Sequence, residues 1–216
     1  MTQRFSFIAI GWCLCVTLLH CKKRVYEVQT DFLDKEKWYL VFRGTNTKEG
    51  LVSKEYNKSN NKPSHVGICM YQDPEWLVYH VLSPRKKDST ALIIENVDSF
   101  FDVEKESIYN ASIYVIDNLT PYEILKLKRQ LQKYEKLNLQ FDLSFKSKDT
   151  TKVYCSKFIR DLLRNVNNRK FKVETSKVKL KPLHSVYLGQ DSLEYYPVDV
   201  FQFTDDILLL KEWTFE

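Results

Sequence analysis

The sequence predicts one α+β domain, an antiparallel sheet packed against helices, in a chain of 216 residues. Three observations lead to this prediction. Short apolar runs bounded by turn residues fill the first half of the chain, which is typical of strands. Two segments with apolar residues at helical spacing follow, and strand-like apolar runs return near the carboxyl end. The 44% hydrophobic and 28% charged residues lie in the globular range, which argues against a disordered chain.

The amino terminus has the layout of an export signal. An uncharged, largely apolar run from Phe5 to Leu19 follows Arg4, and Cys21 with three basic residues comes after it. This run is short for a membrane span and suits a signal peptide. The segment that ends in Cys21 also resembles a bacterial lipoprotein signal, in which Cys21 would carry a lipid that binds the membrane. Plain secretion and an uncleaved anchor are the alternatives.

These features predict a simple domain organisation and an exported, cell-envelope location. We expect a signal peptide over 1–20, a tether over 21–36 and a folded domain over 37–216. The formal charge of +5 is spread over short basic clusters. Solvated surface lysines explain such clusters better than a nucleic-acid site does, so we expect no nucleic-acid partner.

The cysteine count excludes a disulfide scaffold. Of five cysteines, Cys13 and Cys15 fall in the predicted signal and Cys21 precedes the domain, which leaves Cys69 and Cys155. Two cysteines without a Cys-x-x-Cys or a Cys/His zinc spacing suggest neither a metal nor another cofactor. One disulfide between Cys69 and Cys155 remains an alternative.

Strands are predicted in the first half of the domain, with a long polar loop from Gly44 to Pro63 after the first of them. The turn residues Asp73 and Pro74 join the second and third predicted strands into a hairpin. The predicted strands of this half are Trp38–Phe42, His65–Tyr71, Trp76–Leu82, Ala91–Val97 and Ser107–Ile116.

The second half begins with a helix whose start is marked by Thr120, Pro121 and Glu123, the pattern of a capping box with proline at the first position. A second, short buried helix is predicted after Cys155. Closing strands are then expected at Val186–Leu188, Val198–Phe203 and Ile207–Leu210, and His184 is expected in a loop.

Cys155 and two histidines form the candidate site. A helix start favours a thiolate through its unpaired N–H groups, and an imidazole can take the proton. Around the predicted hairpin, His65 and His80 become cross-strand neighbours, so one ring could orient the other. Each residue also has a structural interpretation: Cys155 as an inert core thiol, His65 as a structural histidine and His80 as a surface residue.

Ser64-His65-Val66-Gly67-Ile68, followed by a second polar residue at His80, resembles the histidine motif of NlpC-type papain-like hydrolases. Tyr154-Cys155-Ser156 resembles the cysteine motif of the circularly permuted branch, the YaeF/YiiX-type amidases, in which the cysteine follows the histidine. The resemblance covers roughly residues 37–165. It implies a permuted papain-like fold.

The same resemblance implies the chemistry. Cys155 maps onto the nucleophile, His65 onto the general base and His80 onto the residue that orients the base. The expected reaction is cleavage of an amide bond, in cell-wall peptide or in a modified amino acid. A lipid or ester acyl hydrolase or acyltransferase and a catalytically silent wall-binding module are the alternatives. Lys157 stands where many relatives carry an acid, which bears on substrate preference.

Overall fold

The computed structural model describes residues 28–59, 62–84, 89–102, 108–145 and 152–215. The predicted signal peptide over 1–20, Cys21 and the start of the predicted tether lie outside these residues. Within the described ranges, no helix is both long and apolar enough to cross a bilayer.

A six-stranded antiparallel sheet forms the centre of the domain, in the spatial order β10-β5-β1-β2-β3-β4. Every residue of β1 is buried because this strand lies inside the sheet and both of its faces are covered. The strands of this sheet are β1 (Trp38–Thr45), β2 (His65–Gln72), β3 (Glu75–Val81), β4 (Leu92–Asn96), β5 (Ile108–Ile116) and β10 (Ile207–Thr214).

Two small sheets and five helices complete the described fold. The helices are α1 (Lys48–Glu55), α2 (Val97–Phe101), α3 (Pro121–Glu135), α4 (Cys155–Val166) and α5 (Pro182–Leu188), with a 3-10 helix at Val198–Phe203. The small sheets pair β6 (Gln140–Phe141) with β7 (Lys152–Val153) in parallel, and β8 (Ser176–Lys179) with β9 (Ser192–Tyr195) in antiparallel.

Both predicted helices of the second half are present. Thr120 caps α3, its hydroxyl accepting the N–H of Glu123, and the Glu123 side chain reaches back to the N–H of Thr120. Leu127 and Leu131 are buried on the predicted face. The α4 helix begins at Cys155, as expected, and its apolar residues pack on the sheet.

The sheet has two different faces, because successive residues of a strand point to opposite sides. On the first face, Val66 and Ile68 of β2 pack with Phe158 and Ile159 of α4. On the second face, Cys69 of β2 packs with other strand residues and with α2. We call these the α4 face and the α2 face. Two residues of the predicted tether, Val28 and Leu33, pack on the α2 face, so ordered packing begins upstream of position 37.

Several predicted elements were wrong. The predicted loop Gly44–Pro63 contains α1, a polar helix without apolar period whose N-cap, Thr47, accepts the N–H of Gly50. Predicted strand Val186–Leu188 lies inside α5, which begins at a proline and ends at Gly189 in the left-handed conformation. Predicted strand Val198–Phe203 is the 3-10 helix, whose short buried apolar run gives no decisive period.

Candidate active site

The two histidines of the predicted site lie beside each other on the α2 face. His65 is the first residue of β2, and His80 lies near the end of β3. The strand register pairs His80 with Gly67, so the histidines are diagonal neighbours and not directly opposite as predicted. Nε2 of His65 and Nδ1 of His80 are 2.8 Å apart, a hydrogen bond.

Gly67 makes room for this pair. A Cβ atom at Gly67 would lie 2.6 Å from Cγ1 of Val78 and 3.2 Å from Cβ of His80. A side chain at this position would therefore collide with β3 beside His80. Glycine therefore allows β2 and β3 to approach closely where the two histidines meet.

Glu95 extends the pair into a chain of three side chains. Its Oε1 lies 2.8 Å from Nε2 of His80. Glu95 belongs to the edge strand β4, where it is diagonal to His80, because Val78 pairs with Glu95 and His80 with Ile93. No motif of the sequence predicted Glu95 as a site residue. Extending the strand register from β3 to β4 would have placed it near His80.

Phe100 and Arg43 enclose the histidines. Phe100 of α2 stacks on His65, with ring centroids 5.8 Å apart, and meets His80 edge to face at 5.2 Å. The Arg43 guanidinium lies 4.6 Å from the Phe100 ring centroid and donates to the Phe100 carbonyl. Both histidines are buried in this apolar and cationic surrounding.

This environment keeps the imidazoles neutral. Burial, the Arg43 charge and His80 hold the pKa of His65 well below the ordinary 6.5. Burial also lowers the pKa of His80, and the hydrogen bond to Glu95 opposes this shift without reversing it. Burial alone would raise the pKa of Glu95, but the bond to His80 and the Arg43 charge outweigh it and lower the pKa. At neutral pH, two uncharged rings therefore face one carboxylate.

Cys155 is the first residue of α4, and this residue is partly exposed while it packs against the hydrophobic core of the α4 face. The N-cap residue Tyr154 provides no side-chain cap, so the first N–H groups of the helix are not occupied by a capping group. The helix start is fixed to Tyr196: the N–H of Tyr196 donates to Oη of Tyr154 at 2.8 Å, and Oγ of Ser156 donates to the Tyr196 carbonyl at 2.6 Å.

Two opposing effects set the ionisation of the thiol. Burial raises the pKa of Cys155 to about 11, while the backbone N–H groups of Val66, Ser156 and Cys155 itself favour the anion and limit the rise. At neutral pH the site therefore holds a thiol and a neutral imidazole, not a preformed ion pair.

The structure brings His65 and His80 together, but it does not bring the Cys155 sulfur to the His65 ring. Helix α4 packs on the α4 face, whereas the His65 ring stacks on Phe100 on the α2 face. The N–H of Val66, which faces the sulfur, belongs to the peptide bond that follows His65. No hydrogen bond joins the Cys155 sulfur to the His65 ring in the part of the chain that is described.

The remaining candidates have other surroundings. Cys69 is fully buried on the α2 face, and both cysteines are free thiols, so the alternative disulfide is not formed. His184 lies in α5 and not in a loop, with Nδ1 2.6 Å from Oη of Tyr56. The buried amine of Lys157 donates to the Lys152 carbonyl at 3.0 Å and contacts Asp161 at 3.2 Å.

The described residues do not form a cluster suited to a metal ion: no group of three or more His, Cys, Asp or Glu side chains is arranged to hold one. His65, His80 and Glu95 are joined one after another, His65 to His80 and His80 to Glu95, by hydrogen bonds.

The sheet, α4 and the buried polar chain define an α+β protein with a partly exposed cysteine at a helix start. No family model matches the sequence, and no curated protein matches it. A solved structure does match: the metalloprotein yiiX from Escherichia coli O157:H7, with a TM-score of 0.58 and 12% identity. The match covers 82% of this chain and 97% of that one. At this identity the likeness shows the fold alone, so the fold is YiiX-like.

Proposed function

We propose that the protein is an exported cysteine hydrolase of the permuted papain-like type, in which Cys155 attacks an amide carbonyl. His65 acts as general base and His80 orients it. One observation carries the proposal: His65 is bonded through Nε2 to a second ring, while the sulfur of Cys155 flanks the peptide bond that follows His65. The bonded pair of imidazoles is the base-and-orienter part of a triad, and acyl transfer requires that the Cys155 sulfur and the His65 ring meet in the complex with substrate.

The resting protonation states determine the first step. Because the thiol and His65 are both uncharged at rest, the proton moves as the sulfur attacks. The sulfur forms a bond to the carbonyl carbon, and Nδ1 of His65 accepts the thiol proton. The imidazolium that forms is stabilised by its bond to His80.

The later steps use the helix start. Backbone N–H groups at the beginning of α4, including that of Cys155, hold the oxyanion of the tetrahedral intermediate. His65 returns its proton to the leaving amine as the carbon–nitrogen bond breaks, which leaves a thioester on Cys155. Water, deprotonated by His65, then releases the acid and restores the thiol.

The substrate class follows from charge and predicted location. The full chain has a formal charge of +5, and removal of residues 1–20 takes away only Arg4, so the exported protein stays basic and suits an anionic polymer, in which cell-wall peptide offers amide bonds. A modified amino acid is a smaller substrate with the same bond. The proposed substrate is therefore an amide of cell-wall peptide or of a modified amino acid.

The test compares the two free cysteines. The wild type, Cys155→Ala and Cys69→Ala are assayed on wall-derived peptides and N-acyl amino acids by mass spectrometry of the products. We expect turnover by the wild type and by Cys69→Ala, with loss of at least about 10³-fold in Cys155→Ala. Equal activity of Cys155→Ala and the wild type would refute the proposal.

A second candidate is a lipid or ester acyl hydrolase or acyltransferase. It is favoured by α5, whose Leu183, Val186 and Tyr187 lie at helical spacing and are 76%, 83% and 67% exposed. Such an apolar helix face suits contact with lipid. Fatty acid release from phospholipid vesicles, lost in Cys155→Ser, would support this candidate.

A silent wall-binding module would give a different result. It would bind peptidoglycan in a sedimentation assay and keep that binding when Cys155, His65 and His80 are all replaced. It would hydrolyse neither the wall-derived peptides nor the N-acyl amino acids nor the phospholipids.

A further inference from the structure

We propose that Glu95 is a positioning residue of the site: it fixes the tautomer of His80 and, through His80, that of His65. The lone pair on Nδ1 of His65 is then the one free to accept the proton of Cys155. This inference rests on the proposed function. It adds an acid that no motif of the sequence indicated, and it assigns the proton positions on both rings.

The first link is the bond between Glu95 and His80. An ionised carboxylate can only accept hydrogen bonds, so Nε2 of His80, 2.8 Å away, must carry the hydrogen. The bond is charge-assisted and its donor ring is fully buried, which makes it stronger than a bond between neutral groups. Glu95 thus selects one of the two neutral forms of His80.

The second link follows from the first. A neutral imidazole carries one N–H and one lone pair, so the lone pair of His80 lies on Nδ1. That nitrogen is 2.8 Å from Nε2 of His65, which must therefore carry the hydrogen of this bond. In neutral His65 the remaining lone pair lies on Nδ1. The chain of bonds thus points the basic nitrogen of His65 away from His80.

The surrounding charges favour this state over a doubly protonated ring. His80 faces Arg43 of β1, His65 of β2 and Glu95 of β4, and Phe100 of α2 covers it with an apolar ring. A cationic His80 would have no acceptor on Nδ1 unless His65 reversed its tautomer, and it would be close to the Arg43 charge. Glu95 is the acid in this group, and its side chain is 27% exposed.

An amide at position 95 removes this selection. The oxygen of a glutamine accepts from Nε2 of His80, but its nitrogen can donate to the same atom after a flip. In the flipped state His80 donates from Nδ1 to His65, and the hydrogen of neutral His65 moves to its own Nδ1. The nitrogen needed as base is then blocked. Glu95→Gln therefore changes the proton positions with little change in shape.

The decisive experiment is nitrogen-15 NMR of the imidazole rings in the full folded domain, with Glu95→Gln and a matched control, Glu135→Gln. Glu135 accepts a hydrogen bond of 3.0 Å from Oη of Tyr79. Tyr79 precedes His80 on β3, and its side chain lies on the α4 face, away from the histidines. We expect both His65 and His80 to carry hydrogen on Nε2 in the wild type and in Glu135→Gln. In Glu95→Gln, we expect the Nδ1–H form to become populated in both rings.

Kinetics give a second reading. For a hydrolysed substrate, Glu95→Gln should lower kcat by about 10- to 100-fold, the scale of replacing a charge-assisted bond with a neutral one, while KM changes little. Glu95→Asp, which restores the charge, should recover part of kcat. Unchanged ring tautomers in Glu95→Gln would overturn the role of Glu95. The NMR result does not depend on turnover, so a protein with the expected tautomers and no hydrolysis would contradict only the proposed reaction.

Discussion

The two free cysteines of the described chain are the same group in two settings. Cys69 lies within β2, fully buried on the α2 face, and burial raises its pKa with nothing to oppose it. Cys155 lies at the first position of α4, partly exposed, and burial raises its pKa to about 11 against the pull of three backbone N–H groups. Both groups are thiols at neutral pH.

The difference shows what a helix start contributes. Within a strand, the backbone N–H groups are used by the neighbouring strands, so none is free for the sulfur of Cys69. At the start of α4, the N–H groups of Cys155 and Ser156 have no partner within the helix and can stabilise an anion. The third N–H group that faces the sulfur, that of Val66, comes from β2. Only Cys155 combines these groups with partial exposure, and its sulfur also faces the N–H of Val66, the residue that follows His65.

The largest expected effect comes from removing the base. His65→Gln should lower kcat/KM by about 10²- to 10⁴-fold, because general base catalysis is lost and Cys155 then reacts no better than an isolated thiol. The matched control is His184→Gln, which keeps a polar group beside Tyr56 and should retain wild-type activity. Equal loss in the two variants would contradict the assignment of His65.

Alkaline unfolding compares the two thiols directly. Each thiol has a pKa raised above the ordinary 9, so the native state keeps a proton that the unfolded state loses as pH rises. The free energy of unfolding therefore falls above pH 9, and each thiol contributes a loss of about 1.4 kcal/mol for every pH unit. The loss of stability due to Cys155 ends near pH 11, where it has reached about 3 kcal/mol, whereas the loss due to Cys69 continues at higher pH.

Urea unfolding of the cysteine variants between pH 8 and 11 measures these contributions. Cys69→Ala and Cys155→Ala should each make the alkaline loss of stability less steep than in the wild type. If the unfolding free energy of Cys69→Ala fell with pH as steeply as that of the wild type, the Cys69 thiol would have an ordinary pKa in the folded protein, which would contradict this prediction.

Gly67 lies between His65 and Cys69 on β2, and Gly67→Ala tests how tightly the histidine pair is built. The added methyl group meets Val78 and His80, so we expect a loss of about 1–3 kcal/mol in unfolding free energy. Gly189→Ala is the control, since its new Cβ meets no atom within 4 Å and only backbone strain remains, of about 1 kcal/mol. An unchanged unfolding free energy in Gly67→Ala would contradict the close contact between Gly67 and β3.

The smallest effect is the acid sensitivity of the buried rings. His65 and His80 have pKa values lowered below 6.5, so the unfolded state binds protons that the native state does not. The stability that this difference contributes is fully present above pH 6.5 and is lost as pH falls, by at most about 1.4 kcal/mol per pH unit for each ring. His80→Phe should reduce this pH dependence in urea titrations between pH 7 and 5.

The hairpin, the capping box of α3 and the cysteine at the start of α4 could be predicted, because each depends on residues close together in sequence. The histidine contact was also predicted, and the rings meet diagonally because the observed register pairs Gly67, not His65, with His80. Strand alternation along β2 could have shown that His65 and Val66 point to opposite faces.

Other features depend on distant contacts. Glu95 reaches His80 only because β4 pairs with β3, and nothing near Glu95 in sequence marks it. The helix α1 has no apolar stripe, and its cap at Thr47 and contacts with β1 define it. The 3-10 helix is fixed by Asp199, which is buried and accepts the N–H groups of Lys58 and Ser59.

The most direct test is the alkylation rate of each cysteine when the folded protein reacts with iodoacetamide at pH 7. Mass spectrometry of the intact protein and of its peptides measures the labelling. We expect Cys155 to be labelled at least about 100-fold faster than Cys69, and His65→Gln to slow the labelling of Cys155 about tenfold or more. Equal rates at the two cysteines, or a rate at Cys155 that does not respond to His65→Gln, would contradict a nucleophile activated by that histidine.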